Sequence, residues 1–326
     1  MKRVHIDLIK YRWIWFGISL AILIPGIIGI CACFFRFGTP LKLGIDFTGG
    51  SILQYQFDKK DVNLDNVRAI LDRDGFPGSQ VQQAFISGQE VIVMRTKAID
   101  DESLKRKLDE DLTKEVSPFK TLSVDKVSGM IGPELLTNGL VALLITFAAM
   151  VIYISWRFMA DYAVCAIIAL FHDVLALCGI FALLGLFLGT EVDSMFISAV
   201  LTVIGFSVHD TIVVFDRIRE NAKYVGSKAV DPKTGQEYKK TFGDVANDSV
   251  NQTLARSIYT SLTVIITLSA LYLLGGVTTR DFVLAMLIGI ISGTYSSIFN
   301  ASCLLVFWRE QKQKMKLKPK PAVGAA

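Results

Sequence analysis

A chain of 326 residues is long enough for two soluble domains, but 52% hydrophobic residues and a mean hydropathy of +0.47 exclude that reading, because the apolar residues gather in blocks too long for the helices of a soluble core. The net charge of +4 is small and says nothing about partners until topology places it. All five cysteines (Cys31, Cys33, Cys165, Cys178 and Cys303) fall inside the apolar blocks, which excludes a disulfide framework and leaves them as small buried hydrophobes.

Six stretches reach the roughly 20 mostly apolar residues that cross a hydrocarbon layer: 14–35, 135–156, 162–189, 194–215, 253–275 and 282–308. The first is flanked by Lys2, Arg3, Lys10 and Arg12, as a signal peptide would be. It is longer than a signal's apolar region and no small-residue cleavage site follows, so it reads as a retained anchor.

Residues 36–130 form the one large segment between spans and read as a folded domain. Ser51–Phe57 is a weakly alternating strand. Asp61–Asp74 carries Leu64, Val67, Ile70 and Leu71 at helical spacing, with Asp61 as the expected N-cap and Gly75 as the stop. Gln80–Ile86 and Glu90–Thr96 read as strands joined by the turn Ser87-Gly88-Gln89. Glu102–Val116 is a charged helix with Leu104, Leu108 and Leu112 expected on one face, and Phe119–Val127 is a last strand. The order β-α-β-β-α-β predicts a ferredoxin-like α+β fold. Nothing in it pairs a nucleophile with a base or cradles a phosphate, so it reads as a contact domain.

Charged groups inside spans are expensive and point to function. In the fourth span Asp210 lies about 24 Å from the outer end at 1.5 Å per residue, within the inner half of a hydrocarbon layer about 30 Å thick. A carboxyl there is suited to carry protons or, as a neutral acid, to hydrogen-bond a neighbouring helix. Arg256 in the fifth span lies about 27 Å from the outer surface, so it is free either to pair with Asp210 or to snorkel to the inner headgroups. His172 and Asp173 stand in the middle of the third span, as part of a relay or as a static helix–helix hydrogen bond. Two histidines and two aspartates are too few and too irregular to demand a metal. Asp216 and Arg217 read as solvated residues opening a loop. Gly289, Gly293 and Ser297, four apart in the last span, suit close helix packing.

Cations set the expected orientation. They crowd the N-terminus, the 216–252 loop (Arg217, Arg219, Lys223, Lys228, Lys233, Lys239, Lys240) and the tail 309–326, while the short loops opposite hold only Arg280. Both termini are therefore expected inside, with 1–35 as N-terminus and first helix, 36–130 outside, and 131–308 as the remaining five helices. The basic tail is expected to meet anionic membrane lipids in preference to nucleic acid or a ribosome.

Several motifs then occur in order: Leu43-Gly-Ile-Asp-Phe-Thr-Gly-Gly50 after the first span, Ala169-Leu-Phe-His-Asp173, Val208-His-Asp-Thr-Ile-Val-Val-Phe-Asp-Arg-Ile-Arg-Glu-Asn221, Asn251-Gln-Thr-Leu-Ala-Arg256 and Leu273-Leu-Gly-Gly276. Over nearly its whole length, tail excepted, the chain resembles the SecD/SecF family, a branch of the resistance-nodulation-division superfamily, and Gly44, Asp46, Gly49 and Gly50 match that family's first signature. The resemblance implies a multi-pass chain of the bacterial inner membrane, neither an ATPase nor an enzyme and with no cofactor. It implies pairing with SecD, whose similar six-helix half completes the bundle, and association with the SecYEG channel, YajC, SecA and exported polypeptide chains. Proton flow is expected to drive movements of the external domains. The family's fourth-span aspartate and fifth-span arginine, which serve proton conduction, fall on Asp210 and Arg256. His209 stands where asparagine is usual and adds a possible titrating neighbour, and the loop Ala222–Asp244 is lengthened by Asp231-Pro-Lys-Thr-Gly235. The expected cycle pairs ionised Asp210 with Arg256 or with an aspartate of SecD. Protonation loosens that pair, and the motion passes through the first two spans to the external domain. The rivals are a partner that stabilises SecD without carrying protons, and a proton-driven small-molecule exporter, for which about 90 external residues are too few.

Overall fold

The structure, a computed structural model, describes residues 6–86, 89–99, 101–127, 131–230 and 236–317. Among them six helices are long and apolar enough to cross a membrane: Arg12–Phe37, Gly132–Arg157, Ala160–Phe187, Ser194–Tyr224, Phe242–Leu274 and Thr279–Met315.

Helix α1 (Arg12–Phe37) leads to a one-turn helix α2 (Ile45–Thr48), then to strand β1 (Gly50–Phe57), helix α3 (Leu64–Arg73), strands β2 (Gln80–Ile86) and β3 (Gln89–Thr96), helix α4 (Glu102–Glu115) and strand β4 (Phe119–Val127). The sheet order is β2-β3-β1-β4, and every neighbouring pair is antiparallel. With β3 inserted between β1 and β2, this is the split βαβ arrangement the element order predicts. Its core lies between the sheet and the two helices: Leu53, Tyr55, Met94, Val67, Leu71, Leu108 and Leu112 are buried there. The phenol of Tyr55 also donates to Asp109 at 2.6 Å, which ties the central strand to α4.

Two details of this domain differ from expectation. The N-cap of α3 is Asn63, whose side chain accepts from the amide of Asp65, and not Asp61. Val62, just before the cap, is buried in the same core as Val67. An apolar pair at these two positions fixes where the chain enters a helix. Leu104 is 42% exposed while Leu108 and Leu112 are buried, because steps of four residues drift by about 40° per turn and carry Leu104 off the buried face. Of the expected hairpin turn, Ser87 and Gly88 lie outside the described residues.

The remaining helices form the bundle: α5 (Ile131–Arg157), α6 (Ala160–Phe187), α7 (Ser194–Asn221), α8 (Phe242–Leu274), α9 (Val277–Tyr295) and α10 (Ser302–Leu317), the last two joined by a π-helical turn, Ser296–Ala301. Helix α7 is the central post, in contact with α5, α6, α8 and α9. Gly289 on α9 leaves no room for a Cβ against Val203, and Gly293 lies against Ser207, so small residues bring α9 onto α7 as their spacing predicts. Helix α8 starts eleven residues before the expected span, because Thr241 and Asp244 close a capping box that lets the polar stretch before it wind into the same helix. Between α7 and α8 a short ladder pairs β5 (Lys228–Val230) with β6 (Glu237–Lys239). The segment Asp231–Gly235 lies outside the described residues.

Candidate functional site

Helix α7 carries the buried carboxyl. Asp210 is 3% exposed, surrounded by Ser257 and Ser261 of α8 and Thr294 of α9, and the last two hydroxyls bond to each other at 2.7 Å. One oxygen of Asp210, Oδ2, and the hydroxyl of Ser257 are buried without a protein partner. A buried carboxyl with one unoccupied acceptor is equipped to take a proton or to accept a hydrogen bond from a proton carrier.

At the level of Ser207, one turn earlier on α7, a second carboxyl, Asp173 of α6, is bound on all sides. Asp173 is fully buried; its Oδ1 contacts His172 Nδ1 at 3.0 Å, and its Oδ2 accepts from Ser207 at 2.5 Å and Ser296 at 2.7 Å. Ser297 donates to the carbonyl of Ser207 and shares a 2.8 Å hydrogen bond with Thr211. The π turn makes this possible: its wider winding sends Ser296 toward α6 and Asn300 to Ser19 of α1, to which Asn300 donates at 2.5 Å. Three helices are thereby joined at one level.

The residues singled out from sequence do not converge on one point. Asp210 faces the interior, while its neighbour His209 is exposed, about 100° around the helix. Arg256 lies next to Ser257, so it shares the level of Asp210, yet it is exposed and forms no ion pair with it among the described residues. The reason is helical phase: Ser257 and Ser261 turn one face of α8 to α7, and Arg256 stands on the adjacent face. His172 reaches Asp173 only through Nδ1, and its Nε2 is buried without a partner. Among the described residues no cluster of three or more metal-ligating side chains is present.

The signature after the first span acts as a joint. Leu43 and Val192 form a parallel bridge, with Gly44 N bonded to Val192 O and Val192 N to Lys42 O, both at 2.8 Å. Asp46 accepts from both the amide (3.0 Å) and the hydroxyl (2.5 Å) of Ser194, the first residue of α7. Gly49 and Gly50 have φ of 73° and 152°, and a Cβ on Gly50 would stand 2.6 Å from Thr96 O, so only glycine makes this turn into β1. On the sheet side, Arg95 and Lys42 both reach Glu191 at 3.6 Å. Burial pushes the Glu191 carboxyl above the ordinary glutamate range, against the pull of Arg95 and Lys42.

Other polar residues have structural duties that the sequence did not disclose. Asn251 both accepts from and donates to the backbone of Ile6, and Asn247 accepts from Leu8, so one face of α8 holds the N-terminal segment. Their spacing of four, which sets both on one face of the helix, is the signal that could have disclosed it. Asp216, read as a solvated loop residue, lies inside α7 and binds Arg157 of α5 at 2.8 Å and Arg219 at 3.1 Å. Arg309, the first residue of the basic tail, is part of α10; it pairs with Asp161 at 2.6 Å and stacks on Phe242 and Tyr162.

Comparison with known proteins identifies this architecture. The family described as "Protein export membrane protein SecD/SecF, C-terminal" matches residues 108–311, and the SecD/SecF GG motif matches 37–61, the joint just described. A protein translocase subunit SecF of Thermobaculum terrenum is 43% identical over 94% of this chain and 95% of its own. That of Anaerolinea thermophila is 38% identical over 97% and 99%. The crystal structure of SecDF from Thermus thermophilus, a translocon-associated membrane protein, is 30% identical and superposes with a TM-score of 0.76 over 94% of this chain, which spans 39% of that longer one. A second SecDF structure, in a super-membrane-facing form, gives a TM-score of 0.64. With six membrane-crossing helices, the split βαβ domain and the GG joint in place, the chain belongs to the SecD/SecF family of protein-export membrane proteins, on the side of the SecF translocase subunits.

Proposed function

We propose that this chain is the proton-carrying SecF half of a pair with SecD, which uses the proton motive force to draw exported polypeptides through the SecYEG channel of the bacterial inner membrane. The observation that carries this reading is the Asp210 carboxyl, 3% exposed in the central helix, with one oxygen unpartnered and three hydroxyl-bearing residues around it. Lipid does not tolerate such a group without a task.

The flank of the bundle supports the need for a companion. Helices α5 and α8 border α7 and expose much of their length, and between them His209 and Arg256 are both exposed at the level of Asp210. A guanidinium at that depth facing hydrocarbon is costly; covered by a second six-helix half, it meets an acidic partner. In this reading Arg256 serves the relay from the SecD interface, in place of an ion pair with Asp210 inside one chain. We read the cation-rich end of the bundle, where α1 begins and α10 ends, as the cytoplasmic one, with residues 36–130 on the opposite side of the membrane. YajC and SecA enter as further partners of the assembled translocase.

The test is export driven by an imposed proton gradient in vesicles containing the paired complex. With only this chain altered, Asp210→Asn is expected to reduce both proton flux and gradient-driven export to background while the complex still copurifies. Full export by that variant would leave the chain a structural support of SecD.

A further inference from the structure

We infer that Asp46 is the coupling joint through which movement of α7 is delivered to the external α+β domain. This rests on the proton reading above, and it goes beyond it by naming the route. The expected path runs through the first two spans, and α2 does pack on the start of α5; the contact at the top of the fourth span adds a direct tie to the helix that carries Asp210.

The helix that holds Asp210 ends at Ser194. There two carboxylates cap it. Asp193, its own N-cap, accepts from Phe196 N at 2.9 Å. Asp46 comes from a separate element and takes both the amide and the hydroxyl of Ser194. A carboxylate at a helix N-terminus gains from the unpaired amides and the helix dipole, so the joint is charge-assisted and directional. On its other side α2 is a single turn, bounded by Gly44, whose amide is bonded to Val192 O, and by the Gly49–Gly50 turn that enters β1. Gly50 is enclosed by Thr96 O and Ile45, which leaves no slack between α2 and the central strand. Gly132, at the start of α5, also lies against the Phe47 carbonyl. A shift or rotation of α7 is therefore passed through Asp46 to α2 and on to β1 as one rigid unit. Arg95 of β3, on Glu191, keeps the neighbouring strand aligned with the same turn.

A rigid joint must stay closed during the cycle, and that distinguishes it from a latch that has to open. In the SecD-paired complex, Asp46→Ala is expected to lower gradient-driven export to the level of Asp210→Asn while proton flux continues. Asp46→Asn, whose amide oxygen still accepts from Ser194, keeps most of the rate. The decisive sample carries Asp46→Cys with Ser194→Cys. Before linking it should export as poorly as Asp46→Ala. Bridged by a one-carbon bis-methanethiosulfonate it should recover, and reduction should remove the recovery. Linked and unlinked forms are the same folded chain, so misfolding cannot imitate the result. Export at the full rate by Asp46→Ala, loss of its proton flux, or a linked pair no faster than the unlinked one would each overturn the joint. Absence of gradient-driven proton flux in the unaltered complex would instead sink the proton reading itself.

Discussion

Ser207 donates a 2.5 Å hydrogen bond to Asp173 and stands one turn before Asp210 on the same helix. Asp173 and Asp210, two buried carboxyls of the bundle, are thus held by opposite means. Asp173 has its oxygens occupied by His172, Ser207 and Ser296; Asp210 keeps one oxygen unpartnered.

That contrast gives the first prediction. Asp173 acts as a fastening between α6, α7 and the π turn, so its geometry matters more than its charge. Asp173→Asn, which keeps an acceptor for the serine hydroxyls, should retain gradient-driven export. Asp173→Ala strands two buried hydroxyls and should lower stability by about 1–2 kcal/mol, read as thermal or denaturant unfolding in detergent. Loss of proton flux in Asp173→Asn with unchanged stability would make Asp173 a carrier.

Arg256 and His209 are exposed beside a buried Asp210, which predicts what covers them. A photo-activated benzoylphenylalanine placed at Arg256 or at His209 should form a covalent adduct with SecD when the two are produced together. The same residue at Ser257, a position 1% exposed, should form none. Absence of a SecD adduct from both exposed positions would place that flank against lipid and remove Arg256 from the relay.

The elements were legible because their signals are local. Blocks of apolar residues mark spans, and alternation with helical spacing marks the split βαβ domain, where Leu108, Leu112, Val67 and Leu71 are buried as their period requires. The candidate site was legible only in part. Sequence gives the depth of Arg256 and Asp210, since depth is counted along each helix. It does not give the rotation of α8 against α7, which packing of Ser257 and Ser261 decides. The joint was visible as a motif, Gly44 to Gly50, but not as a contact: its partner Ser194 lies 148 residues away, and no periodicity reaches that far. The π turn was hidden for a similar reason, because Ser296 and Asn300 suit an ordinary helix until their separate partners on α6 and α1 are known.

Asn251 holds the backbone of Ile6 at both ends, accepting at 2.9 Å and donating at 2.8 Å. Asn251→Ala should therefore free the segment before α1 with little effect on the bundle, at a cost of about 1 kcal/mol per lost hydrogen bond. Amide hydrogen exchange at residues 6–9 should accelerate while α7 stays protected. Unchanged exchange there would mean that other contacts, such as Leu8 buried against Trp15 and Cys303, hold the segment on their own.

The joint should also respond to pH, through Glu191. Burial holds the docked Glu191 carboxyl above the ordinary glutamate range even with Arg95 and Lys42 beside it. Released from the α6–α7 turn into water, the same carboxyl would return to its usual value, so docking takes up a proton. Docking should then be fully favoured below the ordinary glutamate range and weaken as pH rises through the raised value. Because Glu191→Gln keeps the shape and cannot ionise, it should abolish that dependence. The measurement is hydrogen exchange at Gly44 and Val192, whose amides are bonded across the joint, compared between the two proteins from acid to neutral pH. After correction for intrinsic exchange, the unaltered chain should lose protection as pH rises and the variant should not. Protection that instead increases with pH in the unaltered chain would mean that the ionised carboxyl, drawn by Arg95 and Lys42, prevails over burial at this contact.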